Sequence, residues 1–319
     1  MNTSNKRQGL IWAMIRIARP IHWIKNVAVF AAVLLTGELF DKGMFANTFL
    51  AFLAFCFATS ATYIFNDILD AKSDRLHHIK KYRPIASGAL PILIAVLESL
   101  GLVALALFFA ATLDSIFFLL VVGYIILQIF YSLGLKNIAV LDIIIIATGF
   151  IIRIYAGGFA INAHLSVWFL LCVISVALFL ASGKRRAELN LVGDSNTQTR
   201  KSLSNYNKEL LNSFVTMFGN ASWMSWALYT FFESPKAALP FWLVLAELSK
   251  TTTVNKLLMV TIPITIFGIM RYESLIFEDK SETPEKLLLT DKSLIIAVGL
   301  WIGVVYWVIY SGVAVASGI

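Results

Sequence analysis

Nine stretches of almost unbroken apolar sequence, at 21–37, 46–66, 91–113, 115–134, 138–161, 164–182, 210–232, 255–277 and 292–316, set the terms on which this chain can fold. Each is near the ~20 residues that a helix needs to cross the hydrocarbon of a bilayer. In hydrocarbon, helices and closed barrels are the structures that satisfy every backbone N–H and C=O. The expectation is an all-α polytopic membrane protein with nine transmembrane helices. An ordinary soluble domain is excluded: 59% of the residues are hydrophobic and 14% charged, against about 25% charged in globular chains. The run 238–248 is too short to cross and is expected at the outer interface. Residues 10–19 place Leu10, Ile11, Trp12, Met14, Ile15 and Ile17 beside Arg16 and Arg19, the pattern of an amphipathic helix lying on the membrane. No small-residue cleavage site follows that would make them a signal peptide.

Lysine and arginine give the orientation. Of the 26, 21 fall in the segment through Lys25, in loops 67–90, 183–209 and 271–292, and at Lys136. Lys42, Lys236, Lys250 and Lys256 are left on the other side, with Arg153 inside a span. The bias predicts a plasma-membrane protein with its N-terminus cytoplasmic, its C-terminus outside and a polar mouth on the cytoplasmic side. A net charge of +7 then reflects loops facing anionic membrane lipid rather than nucleic acid. Loops 67–90 and 183–209 lie four helices apart, which suggests two four-helix halves feeding one shared cavity, with the ninth helix outside. No linker divides the chain, so 1–319 reads as a single domain, with 1–20 its interfacial helix and the two long loops its active-site loops. Cys56 and Cys172 sit in apolar runs and form neither a disulfide framework nor a CxxC site.

Chemistry gathers where the second apolar run ends, at Asn66-Asp67-Ile68-Leu69-Asp70-Ala71-Lys72-Ser73-Asp74. On a continued helix Asp67, Asp70 and Asp74 fall at i, i+3 and i+7, within about 60° of one another. Two readings fit. One is a Mg²⁺ site, because this ion takes one or two carboxylates together with substrate phosphate oxygens. The other is a solvated helix end whose acids pair with Lys72, Arg75, Lys80 and Lys81. Asp142 and Arg153 lie in the fifth span, where ionisable groups cost at least ~2.5–3.5 kcal/mol and face a cavity or each other. Three turns separate them, so they share a face but stand roughly 16 Å apart, too far to pair. Asp142 is shallow and joins the polar site. Arg153 is deep, and a lipid phosphate, another helix and the outer surface are all open to it. His77 and His78 project about 100° apart with no third ligand nearby, so they read as loop residues rather than a zinc site.

The segment from Asn66 to Gly88, NDILDAKSDRLHHIKKYRPIASG, resembles the first aspartate-rich motif and the following RPxASG-type segment of the UbiA superfamily of intramembrane prenyltransferases. Within that superfamily the chain is most similar to the decaprenyl-phosphate phosphoribosyltransferases. The resemblance rests on RPIHWIKN (Arg19 to Asn26), YSLGLKNIAVLD (Tyr131 to Asp142), GFIIRIYAGG (Gly149 to Gly158), ASGKRRAEL (Ala181 to Leu189) and RYESLIF with TPEKLLLTDK (Arg271 to Lys292). These span nearly the whole chain. One departure stands out: relatives that prenylate aromatic acceptors carry a second motif, DxxxD, where this chain reads Lys184-Arg185-Arg186-Ala187-Glu188 and later Asp194. Cations there favour direct contact with phosphate over a second metal held by aspartates. The plain alternative is a cytoplasmic-side basic cluster of topological origin.

The resemblance implies 5-phosphoribosyl 1-diphosphate as donor, a long polyprenyl phosphate as acceptor, and Mg²⁺ as cofactor, in the service of cell-envelope polysaccharide precursors. By match to the motif, Asn66, Asp67, Asp70 and Asp74 form the metal and diphosphate set. Lys25, Lys81, Arg83, Tyr131, Lys136, Asp142, Arg153, Lys184, Arg185 and Glu188 complete the implied substrate site, although each basic side chain could also be snorkelling at the interface. A phosphate acceptor is already an anion, so no general base is needed, and none stands out. Two other readings stay open: a prenyl transfer from prenyl diphosphate to an aromatic acceptor, and a lipid transporter without chemistry. A homo-oligomer is compatible with all three.

Overall fold

The computed structural model describes residues 3–76, 80–193, 203–233, 257–278 and 290–310, and among these every regular element is helical. Helix α1 (Thr3–Ala18) is followed by a 3₁₀ stretch, Pro20–Phe30, that runs on into α2 (Ala31–Leu35). Then come α3 (Lys42–Leu76), α4 (Ile92–Ala111), α5 (Ser115–Leu133), α6 (Leu141–Ala160) and α7 (Val167–Gly193). The series closes with α8 (Lys208–Phe232), α9 (Ile262–Phe277) and α10 (Lys292–Tyr310). Eight helical segments among the described residues are long and apolar enough to cross a membrane. The ninth expected span is α8, made more polar by Asn212, Asn220, Ser222 and Ser225, and it packs along α7. The run 238–248, His77, His78, Asp194 and the end of the last expected span lie outside the described residues.

The helices outrun the apolar stretches. Helix α3 continues past the end of its apolar run to Leu76, and α7 continues past its own to Gly193. With 35 residues, α3 is about 52 Å long at 1.5 Å per residue, well beyond the ~30 Å hydrocarbon thickness. Segments 67–90 and 183–209 therefore begin as helix, which corrects the reading of both as loops. Hydropathy marks where the membrane ends; a helix ends where the backbone meets a breaker. From Asp67 to Arg83 there is no Gly or Pro, and Leu, Ala, Lys and Arg are good helix formers.

The first expected span departs in the opposite sense. Its chain enters through Arg19, whose backbone is left-handed (φ 52°, ψ 57°), and continues as the 3₁₀ stretch rather than as α-helix. Helical backbone is disfavoured before a proline, so Pro20 stops α1 at Ala18. The corner is pinned from inside: Ser60 Oγ donates to the Ala18 carbonyl at 2.7 Å and accepts from Trp23 Nε1 at 3.0 Å.

Two apolar clusters flank the middle of the bundle. One joins α3, α5 and α6 through Phe55, Phe117, Val121, Tyr124 and Ala156; the other joins α7, α8 and α10 through Phe169, Val173, Trp226, Tyr229 and Val305. Buried Ala51, Ala54, Ala58 and Ala61 give α3 a small-residue face, which lets neighbouring helices approach without a large side chain between them. Among the described glycines the tightest approach is at Gly157, where a Cβ would fall 2.1 Å from the Val29 carbonyl oxygen. The 3₁₀ stretch thus lies backbone against backbone on α6, and this holds the start of the chain over the polar end of α3.

Candidate active site

The extension of α3 carries Asn66, Asp67, Asp70 and Asp74 in one connected face. Asp67 is only 2% exposed and accepts from Arg19 Nη2 at 2.6 and 2.7 Å and from Arg83 Nη1 at 3.0 Å. The same Arg83 nitrogen donates to Asp74 Oδ2 at 2.7 Å. Asp70 is held separately: Lys136 Nζ donates to both of its oxygens at 2.8 Å, and Asn66 Nδ2 donates to Oδ2 at 3.0 Å. Lys136 also reaches Asn66 Oδ1 at 3.1 Å. The hydrogen-bonded partners of these carboxylates are thus Arg19 and Lys136, 48 and 66 residues away in sequence, and Arg83, which returns from the segment just beyond the helix. Lys81 is exposed and lies over the Tyr82 ring, 5.2 Å from Nζ to centroid.

A second ionic group is built on a pair sealed inside the protein, with half-buried Tyr131 and Glu188 at its edge. Arg185 and Asp142 are fully buried and meet at 2.6 Å, Nε to Oδ2. Arg185 also donates to Tyr131 Oη at 2.8 Å and pairs with Glu188 one turn along α7. Asp142 Oδ1 accepts from Tyr206 Oη at 2.7 Å, and that hydroxyl accepts from Val140 N at 2.5 Å. Burial and the hydrogen bond to Asp142 push the Tyr206 hydroxyl above its ordinary pKa, so it stays a donor at neutral pH. Tyr131, Asp142, Arg185 and Glu188, four of the residues implicated by sequence, are therefore one structural knot tying α5, α6, α7 and the segment before α8. Arg186 is turned inward too: it is 3% exposed, donates to Asn212 Oδ1 at 2.6 Å and pairs with Asn190. Of the basic triplet only Lys184 remains partly exposed.

Arg153 takes the second of its open destinations, other helices. It donates to Asn26 Oδ1 at 2.7 Å, the Gly149 carbonyl at 2.7 Å and Tyr124 Oη at 2.8 Å, with its guanidinium 4.8 Å from the Tyr124 ring centroid. It is 5% exposed and all these acceptors are neutral. Hydrogen bonds and ring faces thus do the work of a counter-ion for a cation in the membrane interior.

Three residues of the site were not singled out from sequence. Arg19 stands in the RPIHWIKN segment but only its left-handed backbone aims it at Asp67. Tyr63 precedes Asp67 by one turn, with Arg19 5.1 Å above its ring, His22 5.4 Å away, and Lys25 and Lys184 within electrostatic reach. Helical periodicity counted backwards from Asp67 would have found it. Tyr206 had no signal in the sequence.

The donor set fits a hard divalent cation in chemistry: carboxylate and amide oxygens, with no sulfur or imidazole among them. Geometry narrows the fit, since among the described residues no three acidic, histidine or cysteine side chains converge on one point. Asp67 and Asp74 share Arg83, while Asn66 and Asp70 share Lys136. Such a divided set suits Mg²⁺, which binds through one or two carboxylates and completes its octahedron with water and substrate phosphate. It does not suit an all-protein cage.

The sequence model of the UbiA prenyltransferase family matches residues 27–256. The decaprenyl-phosphate phosphoribosyltransferase of Corynebacterium glutamicum is 36% identical over 317 residues, covering 96% of this chain and 90% of that protein. The protein of the same name from Mycolicibacterium smegmatis is 36% identical over 313 residues, covering 97% and 96%. A solved UbiA homolog from Archaeoglobus fulgidus, bound to GPP and Mg²⁺, superposes with a TM-score of 0.68 at 19% identity, covering 93% of this chain and 99% of that one. This last likeness establishes the fold.

Proposed function

The chain belongs to the UbiA prenyltransferase family, and on that premise we propose that it transfers the 5-phosphoribosyl group of 5-phosphoribosyl 1-diphosphate to a polyprenyl phosphate of decaprenyl type, releasing diphosphate. The observation that carries this reading is the 36% identity running along 96% of the chain to a protein named for that activity. The lipid product is an envelope polysaccharide precursor, and the polar mouth faces the cytoplasm, where the charged donor is found.

In this reading Asp67, Asp70 and Asp74 with Asn66 hold Mg²⁺ and the donor's diphosphate. Bound there, Mg²⁺ would supply Lewis-acid and charge-neutralising chemistry to the diphosphate held by these residues. Arg19, Arg83 and Lys136 neutralise the carboxylates in the described state, and they are the cations positioned to turn to phosphate oxygens when the donor arrives. Lys184, from α7, and Lys25, from the 3₁₀ stretch, flank Tyr63 and supply further positive charge for the donor's remaining phosphate. The group of Tyr131, Asp142, Arg185 and Glu188 fixes where α7 presents Lys184. Arg153 does the same for the 3₁₀ stretch through Asn26, next to Lys25.

The acceptor's phosphate attacks the anomeric carbon directly. It is an anion, so no protein group has to remove a proton, and among the described residues each of Asp67, Asp70 and Asp74 is already engaged by cationic or amide partners rather than set as a covalent nucleophile. One displacement inverts the centre, turning an α-linked diphosphate into a β-linked ribosyl lipid. The test is a transfer assay on purified protein in vesicles with polyprenyl phosphate, comparing labelled 5-phosphoribosyl diphosphate with geranyl diphosphate. The expected result is a ribosylated lipid formed only with Mg²⁺ or Mn²⁺ present and β-linked by NMR. Transfer of the geranyl group instead, or an α-linked product, overturns the reading.

A further inference from the structure

A groove of about 630 Å³ lies between α1, the corner at Arg19 and the segment 82–89, outside the ion-paired face of α3. That volume is within the roughly 300–1,000 Å³ of small-molecule sites. Its walls are apolar, from Trp12, Ile15, Pro20, Ile21 and Pro84, and its polar lining includes Arg16 and Arg19. Trp12 and Ile21 are 70% and 74% exposed, so the lip of the groove is open to whatever surrounds the helix, which for an interfacial helix is lipid. Arg16 has no ion-pair or hydrogen-bond partner among the described residues. Arg19 is shared: it lines the groove and also donates both short hydrogen bonds to Asp67. A left-handed, non-glycine backbone immediately before a proline is strained by roughly 1–3 kcal/mol, and what this strain secures is a guanidinium spanning from the groove to the acidic face.

We propose that this groove is where the acceptor docks: Arg16 and Arg19 take the phosphate of the polyprenyl phosphate, the apolar walls take its first isoprene units, and the rest of the tail stays in the bilayer. The inference rests on the phosphoribosyl-transfer reading for the identity of the lipid. Charge complementarity selects the occupant. An uncharged isoprenoid would leave Arg16 unmatched, and a soluble phosphate would leave an exposed apolar lip uncovered. The position has a chemical consequence. A phosphate binding Arg19 competes with Asp67 for the same guanidinium, so arrival of the acceptor frees a carboxylate at the moment the donor's ion needs one.

Two variants and one probe test this. Arg16→Gln removes one cation, and Ala89→Trp fills the groove from an exposed position. Both are expected to raise the apparent KM for polyprenyl phosphate, Arg16→Gln by about fivefold to tenfold, the worth of one charge-assisted contact, and Ala89→Trp by more. Both leave the KM for 5-phosphoribosyl diphosphate within about twofold, a range too small to mark a lost contact. A rise in both constants together, or in neither, overturns the proposal. The probe, a polyprenyl phosphate bearing a diazirine on its first isoprene, is photolysed with the full-length protein in vesicles and the adduct mapped by mass spectrometry. Labelling of α1 or segment 82–89 that unlabelled polyprenyl phosphate competes away, and phosphatidylglycerol does not, supports the groove. Labelling elsewhere, or equal competition by phosphatidylglycerol, overturns it in favour of a plain membrane anchor. Because the probe needs no donor, competed groove labelling in a protein that fails to transfer phosphoribose would sink the activity reading and leave the lipid site standing.

Discussion

The acidic end of α3 and the group built on the sealed pair use the same chemistry, carboxylates against guanidinium, to opposite ends. At the first, Arg19 and Arg83 are 22% and 26% exposed and share Asp67, with Lys136 holding Asp70 nearby. At the second, Arg185 and Asp142 are both fully buried, and a tyrosine completes each. Pairs in which one partner keeps partial access to water, as the two guanidinium groups do here, are screened and exchange partners more readily than pairs sealed on both sides. Buried pairs are held by the high cost of leaving either charge alone. What separates a binding site from a strut is therefore access to water rather than residue type, and four perturbations test that division.

The largest effect belongs to the open pair set. Asp70→Asn keeps the shape and an acceptor for Lys136 but removes a charge from the diphosphate site, so turnover should fall by about 10²–10³-fold, with the thermal unfolding midpoint nearly unchanged. A variant that melts early would reassign Asp70 to structure. Next comes the closed pair. Arg185→Ala leaves Asp142 buried without its cation, a loss of about 3–5 kcal/mol. The predicted signature is poor yield and a lowered melting temperature, and in whatever folded protein survives the KM for 5-phosphoribosyl diphosphate is unchanged. A stable variant with weakened donor binding would move Arg185 into the site. Lys184→Ala sharpens the contrast, because it is the adjacent residue and faces the other way: the donor KM should rise by about tenfold at unchanged stability. Equal effects of Lys184→Ala and Arg185→Ala would erase the distinction.

The smallest effect is at a third pair, between α9 and the start of α10. There Arg271 donates to Asp291 at 2.6 Å. That bond, with a backbone hydrogen bond from Leu294, holds the Asp291 carboxyl below its ordinary pKa. A depressed carboxylate pKa contributes stability that is fully present above the unfolded-state value and is lost as the pH falls through the folded-state value. Asp291→Asn should therefore slightly lower the melting temperature at neutral pH, and the gap from wild type should close on acidification. A gap that widens as pH falls would contradict the sign.

Much of the site was legible because a helix has a fixed period. Asp67, Asp70 and Asp74 share a face on any α-helix through that segment, and an acidic face next to a membrane span asks for cations. The identity of those cations was not legible. Arg19 reaches Asp67 across 48 residues of sequence and Lys136 reaches Asp70 across 66, and no local pattern encodes contacts of that range. The basic run Lys184-Arg185-Arg186 misled for a related reason: three consecutive residues on a helix point in three directions, and only the packing of α5, α6 and α8 against α7 decides which of them meets solvent.

By itself the sequence determined the class, the spans and their family, because hydrocarbon tolerates no unsatisfied backbone and so forces apolar runs of near-constant length to become helices. It also determined where charge would collect, since charges are expelled from that solvent. Tertiary structure alone decided how far the helices outrun the apolar stretches, since α3 continues to Leu76 and α7 to Gly193. It decided, too, which ion pairs are open and which are sealed, because burial is a property of what packs around a side chain and not of the side chain.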